Sequence, residues 1–195
     1  HLSDDQWCRI EIKKYPKLTT QGSLRKQTRG DGKEVSGYYT QEQIKEIIEF
    51  CQERYIDVIP EIDMPGHFTA ACSCYPELLC TKEKIDVAEH FGILPNIACV
   101  GRDFTYQFCC DVLDEVCDLF PSRYVHIGGD EALKLNWLTC PDCQAKMKSC
   151  LLYTSPSPRD RTRSRMPSSA WKKKKNKNNK TNNYIYSYYN LTLSS

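Results

Sequence analysis

The sequence predicts an α/β fold. Two observations carry that expectation. An amphipathic helix followed by a short β-rich run occurs twice, as helix 40–55 into strand 57–62 and helix 104–119 into strand 124–127. Each run then ends in a cluster of polar side chains able to do chemistry. Barrels and doubly wound sheets both place function at the C-terminal ends of their strands, so periodicity alone leaves these two architectures open.

The elements follow in order. Trp7-Cys8-Arg9-Ile10-Glu11-Ile12 alternates in polarity and reads as a short strand or extended arm, ended by Tyr15-Pro16. Residues 19–37 are rich in Gly, Thr, Ser and Lys and read as a loop. Thr40 and Gln43 form a capping-box pair, and Ile44, Ile47, Ile48, Cys51 and Tyr55 then recur at helical spacing. Asp57-Val58-Ile59-Pro60-Glu61-Ile62 is the first strand, and Asp63-Met64-Pro65-Gly66-His67 its terminal loop. A short helix is expected near residues 68–75. Asp103 is the expected cap of the next helix, whose apolar face is Phe104, Phe108, Val112, Val116 and Leu119 and whose stop is Pro121. Tyr124-Val125-His126-Ile127 is the second strand, followed at once by Gly128-Gly129-Asp130-Glu131.

Charge divides the chain in two. The net charge of +2 is the sum of −7 over residues 1–149 and +9 over residues 150–195. The globular reading stops at residue 149. From Cys150 there is no apolar period, and a Ser/Pro/Arg stretch gives way to Lys172-Lys173-Lys174-Lys175 and an Asn/Lys mixture. Such a composition buries too little apolar surface to offset its ordering entropy, so a disordered basic tail is expected. The stretch also resembles translated sequencing-adapter sequence, and an assembly artefact is the favoured origin, ahead of a plain linker or a nucleic-acid-binding tail. The sequons at Asn179 and Asn190 fall within it and carry no weight. No apolar run approaches the roughly 20 residues of a membrane helix. The chain begins at His1 within sequence that already reads as functional, so the natural N-terminus is expected upstream.

Asp130-Glu131 is the candidate catalytic pair. The preceding glycines let the backbone turn sharply, and adjacent carboxylates on a turn point in different directions and can take different tasks. An isolated Asp-Glu pair carries no information, and acids at a helix N-terminus are favoured anyway. The string His126-Ile127-Gly128-Gly129-Asp130-Glu131 after an apolar strand is far more specific. It resembles the signature of glycoside hydrolase family 20. Pro60-Glu61-Ile62-Asp63-Met64-Pro65-Gly66-His67 is similar to that family's third-strand motif. His1-Leu2-Ser3-Asp4-Asp5-Gln6-Trp7 is similar to the end of its second strand, and Tyr38-Tyr39-Thr40 fits its run into the next helix. The resemblance covers residues 1–149, with the motifs in the family's order.

The resemblance implies a partial (β/α)8 TIM barrel, roughly strands two to four. It implies hydrolysis of terminal β-linked N-acetylhexosamine, with the substrate's own acetamido group as nucleophile in place of an enzyme carboxylate. Glu131 would be the general acid/base and would have to hold its proton near neutral pH. Asp130 would orient the acetamido group, and a chain from Asp4 through His67 would support Glu131. Asp63 and His126 are assigned to the substrate-binding side; Asp63 would order its loop, and His126 reads equally as a packed core histidine. A glycan is the implied partner, no cofactor is called for, and a homodimer of the parent is left open. The compartment is not legible, with a lean towards secreted, periplasmic or lysosomal. The family's sugar-binding arginine and later aromatic residues have no match in the chain. The polypeptide by itself is therefore expected to be inactive and not stably folded. A non-catalytic sugar-binding relative and a barrel hydrolase with a carboxylate nucleophile are the alternatives.

Twelve cysteines are many for this length. Cys8, Cys51, Cys72, Cys109 and Cys117 sit in apolar or helical contexts and read as free thiols. Cys140-Pro141-Asp142-Cys143 has zinc-knuckle spacing but supplies two of the four ligands a structural zinc takes. Cys72-Ser73-Cys74 is too tight to complete it, so no metal is expected. Trp7 and Trp137 read as core or rim packing ahead of sugar stacking.

Overall fold

A computed structural model of the chain describes residues 1–149. The expectations for residues 150–195 lie outside the described residues.

The chain opens with an antiparallel hairpin of two two-residue strands, β1 (Ser3–Asp4) and β2 (Trp7–Cys8), in register Ser3 with Cys8 and Asp4 with Trp7. Helix α1 (Lys17–Thr20) follows and runs into the start of the loop expected over residues 19–37. Arg25 and Val35 pair across the loop beyond it, each amide donating to the other's carbonyl at 2.8 Å.

Helix α2 (Gln41–Gln52) begins where Thr40 and Gln43 predict. The Gln43 amide donates to Thr40 Oγ1 at 3.2 Å, and the Thr40 amide donates to Gln43 Oε1 at 2.9 Å. This reciprocal cap stabilises the helix by about 1 kcal/mol. Its buried face is narrower than the periodicity suggests. Ile44 and Ile48 are buried, whereas Ile47 is exposed and Tyr55 lies beyond the helix, fully in solvent.

Helix α3 (Thr69–Cys74) and a 3-10 turn (Pro76–Leu78) precede helix α4 (Asp103–Leu119). Asp103 is the first residue of α4 and not its cap; Arg102 holds the N-cap position without a side-chain bond. Phe108, Val112 and Val116 are buried as the period predicts, and Phe104 is partly exposed. Phe108 packs with Tyr15, Phe68 and Tyr75 at centroid distances of 4.5, 6.0 and 5.6 Å. Burying each such aliphatic or aromatic side chain contributes about 1.5–3 kcal/mol. Asp111 enters this core because Tyr15 Oη donates to it at 2.7 Å and Lys14 Nζ lies 2.6 Å away. Those two partners hold its carboxyl below the usual carboxylate range.

Two short helices, α5 (Leu135–Thr139) and α6 (Pro141–Ser149), close the described segment. The extended runs at 57–62 and 124–127 meet in parallel, but over a shorter ladder than predicted. The amides of Ile62 and Met64 donate to the carbonyls of His126 and Ile127, and the His126 amide donates to Pro60. The Leu2 amide donates to Glu61 from the other side, so three segments run side by side with their polar ends together. The eleven described cysteines are free thiols. Burial pushes the Cys8 and Cys109 thiols up to about 12, which leaves them inert packing groups.

Candidate active site

Three chain segments deliver the site. The hairpin turn supplies Asp4, Asp5 and Gln6. The loop after the 60–64 segment supplies His67, and the turn after 124–127 supplies Asp130 and Glu131. Glycines make the approach possible. A Cβ at Gly66 would lie 2.8 Å from the Asp130 carbonyl oxygen, and one at Gly128 only 2.2 Å from Asp63 Oδ1. Gly128 and Gly129 adopt φ of 63° and 90°, a region other residues enter at a cost.

His67 is the hub. Its Nδ1 lies 3.0 Å from Asp5 Oδ2 and 3.5 Å from Asp4 Oδ1, and its Nε2 lies 3.4 Å from Glu131 Oε2 and 3.9 Å from Asp130 Oδ2. The expected chain behind Glu131 therefore exists, but with Asp5 and not Asp4 in the nearest position. Asp5 is 1 % exposed and also accepts from the amide and the hydroxyl of Thr69. Asp4 is more open, and its Oδ2 lies 3.0 Å from His1 Nε2. Burial pushes the proton affinity of His67 down, but the bond to Asp5 and the charges of Asp5, Asp4 and Asp130 outweigh it, leaving the imidazole above its ordinary value. Exposure rises along the chain, from 2 % for the Asp5 side chain through 16 % for His67 to 51 % for Glu131.

Two assigned residues stand elsewhere. Asp63 is buried beneath Gly128; its amide donates to Ser3 Oγ at 2.9 Å, and its Oδ1 finds no hydrogen-bond partner among the described residues. Burial raises its carboxyl to about 6. His126 is not a packed core histidine: it is half exposed, with Nδ1 3.0 Å from Glu61 Oε1 and 3.3 Å from the Gly128 amide.

A cleft of about 370 Å³ opens over the hub, lined by Asp4, Gln6, His67, Glu131 and the tip Phe91-Gly92-Ile93. That volume is within the range of small-molecule sites, roughly 300–1,000 Å³. No local signal in the sequence marks the apolar tip. Phe91 and Ile93 are 71 % and 50 % exposed, and Gln6 holds the wall in place by donating to the His90 carbonyl at 2.9 Å. Trp7 and Trp137 stay outside the cleft. Trp7 packs edge-on against His1, and Trp137 Nε1 donates to the Ala98 carbonyl.

A pair of acids on a turn, one of them backed by a histidine and a buried aspartate, is an arrangement suited to acid–base chemistry, and it stands at the ends of parallel segments as in an α/β fold. The family model "Glycosyl hydrolase family 20, catalytic domain" matches residues 1–177. A beta-hexosaminidase of Porphyromonas gingivalis is 49 % identical over 148 residues, covering 76 % of this chain and 19 % of the relative. One from Akkermansia muciniphila is 41 % identical over 145 residues, covering 74 % of this chain and 29 % of its own. Among solved structures, the beta-N-acetylhexosaminidase from Bacteroides fragilis superimposes with a TM-score of 0.69 at 46 % identity, over 80 % of this chain and 29 % of that one. A mutant Streptomyces plicatus beta-hexosaminidase in complex with product GlcNAc gives 0.64 at 41 % identity, over 76 % and 28 %. The chain belongs to glycosyl hydrolase family 20, and its fold is part of that family's TIM-barrel catalytic domain. It spans 19 % to 29 % of the length of these relatives. Among the described residues no helix is long and apolar enough to cross a membrane.

Proposed function

We propose that the whole protein to which this segment corresponds removes terminal, non-reducing β-linked N-acetylhexosamine, GlcNAc or GalNAc, from glycoconjugates or chitooligosaccharides. Residues 1–149 form part of its catalytic barrel, and the segments 1–4, 60–64 and 124–127 are its second, third and fourth strands. The observation that carries the reading is the placement of Glu131 3.4 Å from a histidine anchored on buried Asp5, with Asp130 beside it.

In the first step the acetamido carbonyl oxygen of the substrate attacks C1 while Glu131 gives its proton to the glycosidic oxygen, and the aglycone leaves. Asp130 accepts from the acetamido N–H and stabilises the positive charge that develops on the oxazolinium ring. In the second step Glu131 takes a proton from water as that water attacks C1 and reopens the ring. Two displacements at C1 return the original anomeric configuration. His67 fixes the orientation of Glu131 and answers its change of charge, and Asp5 holds the ring of His67 in place. His126 and Asp63 set the backbone of the two loops, and the exposed Phe91 offers an apolar face to the sugar.

The test is hydrolysis of an aryl β-N-acetylglucosaminide by the whole protein and its Glu131→Gln variant. The variant is expected to lose about 10²–10⁴ in kcat/KM. A thiazoline mimic of the oxazoline is expected to inhibit the unaltered enzyme. Accumulation of a covalent enzyme adduct with a 2-fluoro sugar, without thiazoline inhibition, would replace this mechanism by one with a carboxylate nucleophile. A well-folded whole protein without activity would favour the sugar-binding alternative.

A further inference from the structure

Cys80, Cys99, Cys140 and Cys143 come from three separate places in the chain and meet in one cluster, all four sulfurs within 4.8 Å of one another. The Sγ–Sγ distances Cys80–Cys143, Cys99–Cys140 and Cys99–Cys143 are 3.8, 3.8 and 3.6 Å. A disulfide holds its sulfurs about 2.05 Å apart. Four thiolates around zinc at about 2.3 Å lie about 3.8 Å apart along the edges of the tetrahedron. The cluster thus has the edge length of a tetrathiolate and not that of two disulfides.

The surroundings are built for such a centre. Cys99 and Cys143 are fully buried and Cys140 nearly so. Cys140 and Cys143 frame the first turn of α6, where the Cys143 amide faces the Cys140 sulfur. The segment that carries Cys99 passes the knuckle at Gly101, where a Cβ would lie 2.2 Å from the Asp142 carbonyl carbon and the Cys143 nitrogen, so only glycine fits there. Arg102, largely buried, donates to the carbonyls of Glu77, Leu79 and Cys80 and to Asp142, tying two ligand-bearing segments together and placing a cation beside the thiols. Trp137 covers the remaining side.

We propose that these four cysteines bind one structural zinc ion, each thiol giving its proton to solvent as the metal is taken up. The ion would join the segment 80–99 to α5 and α6. That segment carries the Phe91-Gly92-Ile93 wall of the cleft, and Ala98 within it donates to the Pro65 carbonyl of the His67 loop at 2.9 Å. Helices α5 and α6 directly follow Asp130-Glu131. The metal would therefore brace both loops that face each other across the cleft, without touching substrate.

The experiment is elemental analysis and thiol titration of the full chain and of the whole protein, both purified without a histidine tag, followed by replacement of the metal with cobalt(II). About one zinc per chain is expected, released with a thiol reagent. The cobalt form is expected to show the visible ligand-field bands and sulfur-to-metal charge transfer of a tetrahedral tetrathiolate. Cys99→Ser and Cys143→Ser should lose the metal, while Cys110→Ser, exposed and outside the cluster, should keep it. Should the Ser variants fail to fold, the cobalt spectrum of the unaltered chain still decides. All thiols titrating freely with no uptake of zinc or cobalt, a mass showing two disulfides, or stoichiometric iron in place of zinc would each overturn the assignment.

Discussion

Replacing Asp5 by Asn in the whole protein removes one negative charge from beneath His67 and keeps the shape. The asparagine can still accept from the Thr69 amide, 3.0 Å away, but it offers His67 a neutral partner in place of the carboxylate at 3.0 Å. A hydrogen bond to a charged group is worth about 1.5–3 kcal/mol. At 1.36 kcal/mol per factor of ten, its loss in the transition state lowers kcat by about 10- to 150-fold. The charge of Asp5 raises the imidazole, so its removal moves the ionisation of His67 to lower pH. Asp4→Asn is the comparison. Asp4 lies further away, at 3.5 Å, and its side chain is 20 % exposed, so water screens it; an exposed pair is worth about 0.2–1 kcal/mol, less than about sixfold in rate. The assay is kcat and KM for an aryl β-N-acetylglucosaminide across pH, with thermal unfolding to confirm the fold. KM should move little in either variant. If Asp4→Asn costs more than Asp5→Asn, or if the pH profile of Asp5→Asn is unchanged, the order of the relay deduced from the burial and distances is wrong.

Three further expectations follow from the same geometry. The Asp63 carboxyl is raised by burial to about 6, so the folded state binds a proton that the unfolded state has already lost between about pH 4 and 6. Stability then falls as pH rises through that window, by up to about 3 kcal/mol, and is lost no further above it. Thermal midpoints of the whole protein measured against pH should show this decline relative to Asp63→Asn, and matching slopes would refute it. Gly128→Ala puts a Cβ 2.2 Å from Asp63 Oδ1 on backbone at φ 63°, and should cost about 2–5 kcal/mol in chemical denaturation. The 195-residue chain alone should show no turnover, because Asp130 and Glu131 stand 64 % and 51 % exposed and such chemistry needs a site that excludes water; turnover by the purified chain would refute this.

What the sequence made legible was local. The capping box of α2 is four residues long, and the period of α4 repeats within a single helix, so both could be read directly. The motif residues were also found, because turns after strands are written in Gly and Pro. What was hidden depends on register and tertiary closure. Asp4 and Asp5 are adjacent, and only the pairing of β1 with β2 decides which one turns inward; the motif pointed to Asp4, and the hairpin buries Asp5. Asp63 and His67 share one loop, yet one is sealed under a glycine and the other faces the cleft. Cys80 and Cys99 carry no recognisable spacing to Cys140, and their meeting is produced by the packing of distant loops. Helices α5 and α6 are too short to show a period of their own.

His67 and Glu131, the two ends of the central contact, both sit on left-handed backbone, at φ 48° and 49°. For side-chain-bearing residues this conformation costs about 1–2 kcal/mol each. At His67 the bond to buried Asp5 offsets that cost, but Glu131 is half exposed, and glycine there would relieve the strain and take the functional group away with it. Selection for thermal resistance alone would therefore reward the loss of Glu131, and a directed-evolution campaign on this fold has to screen for turnover in every round or it will drift towards a sturdier protein with an empty centre.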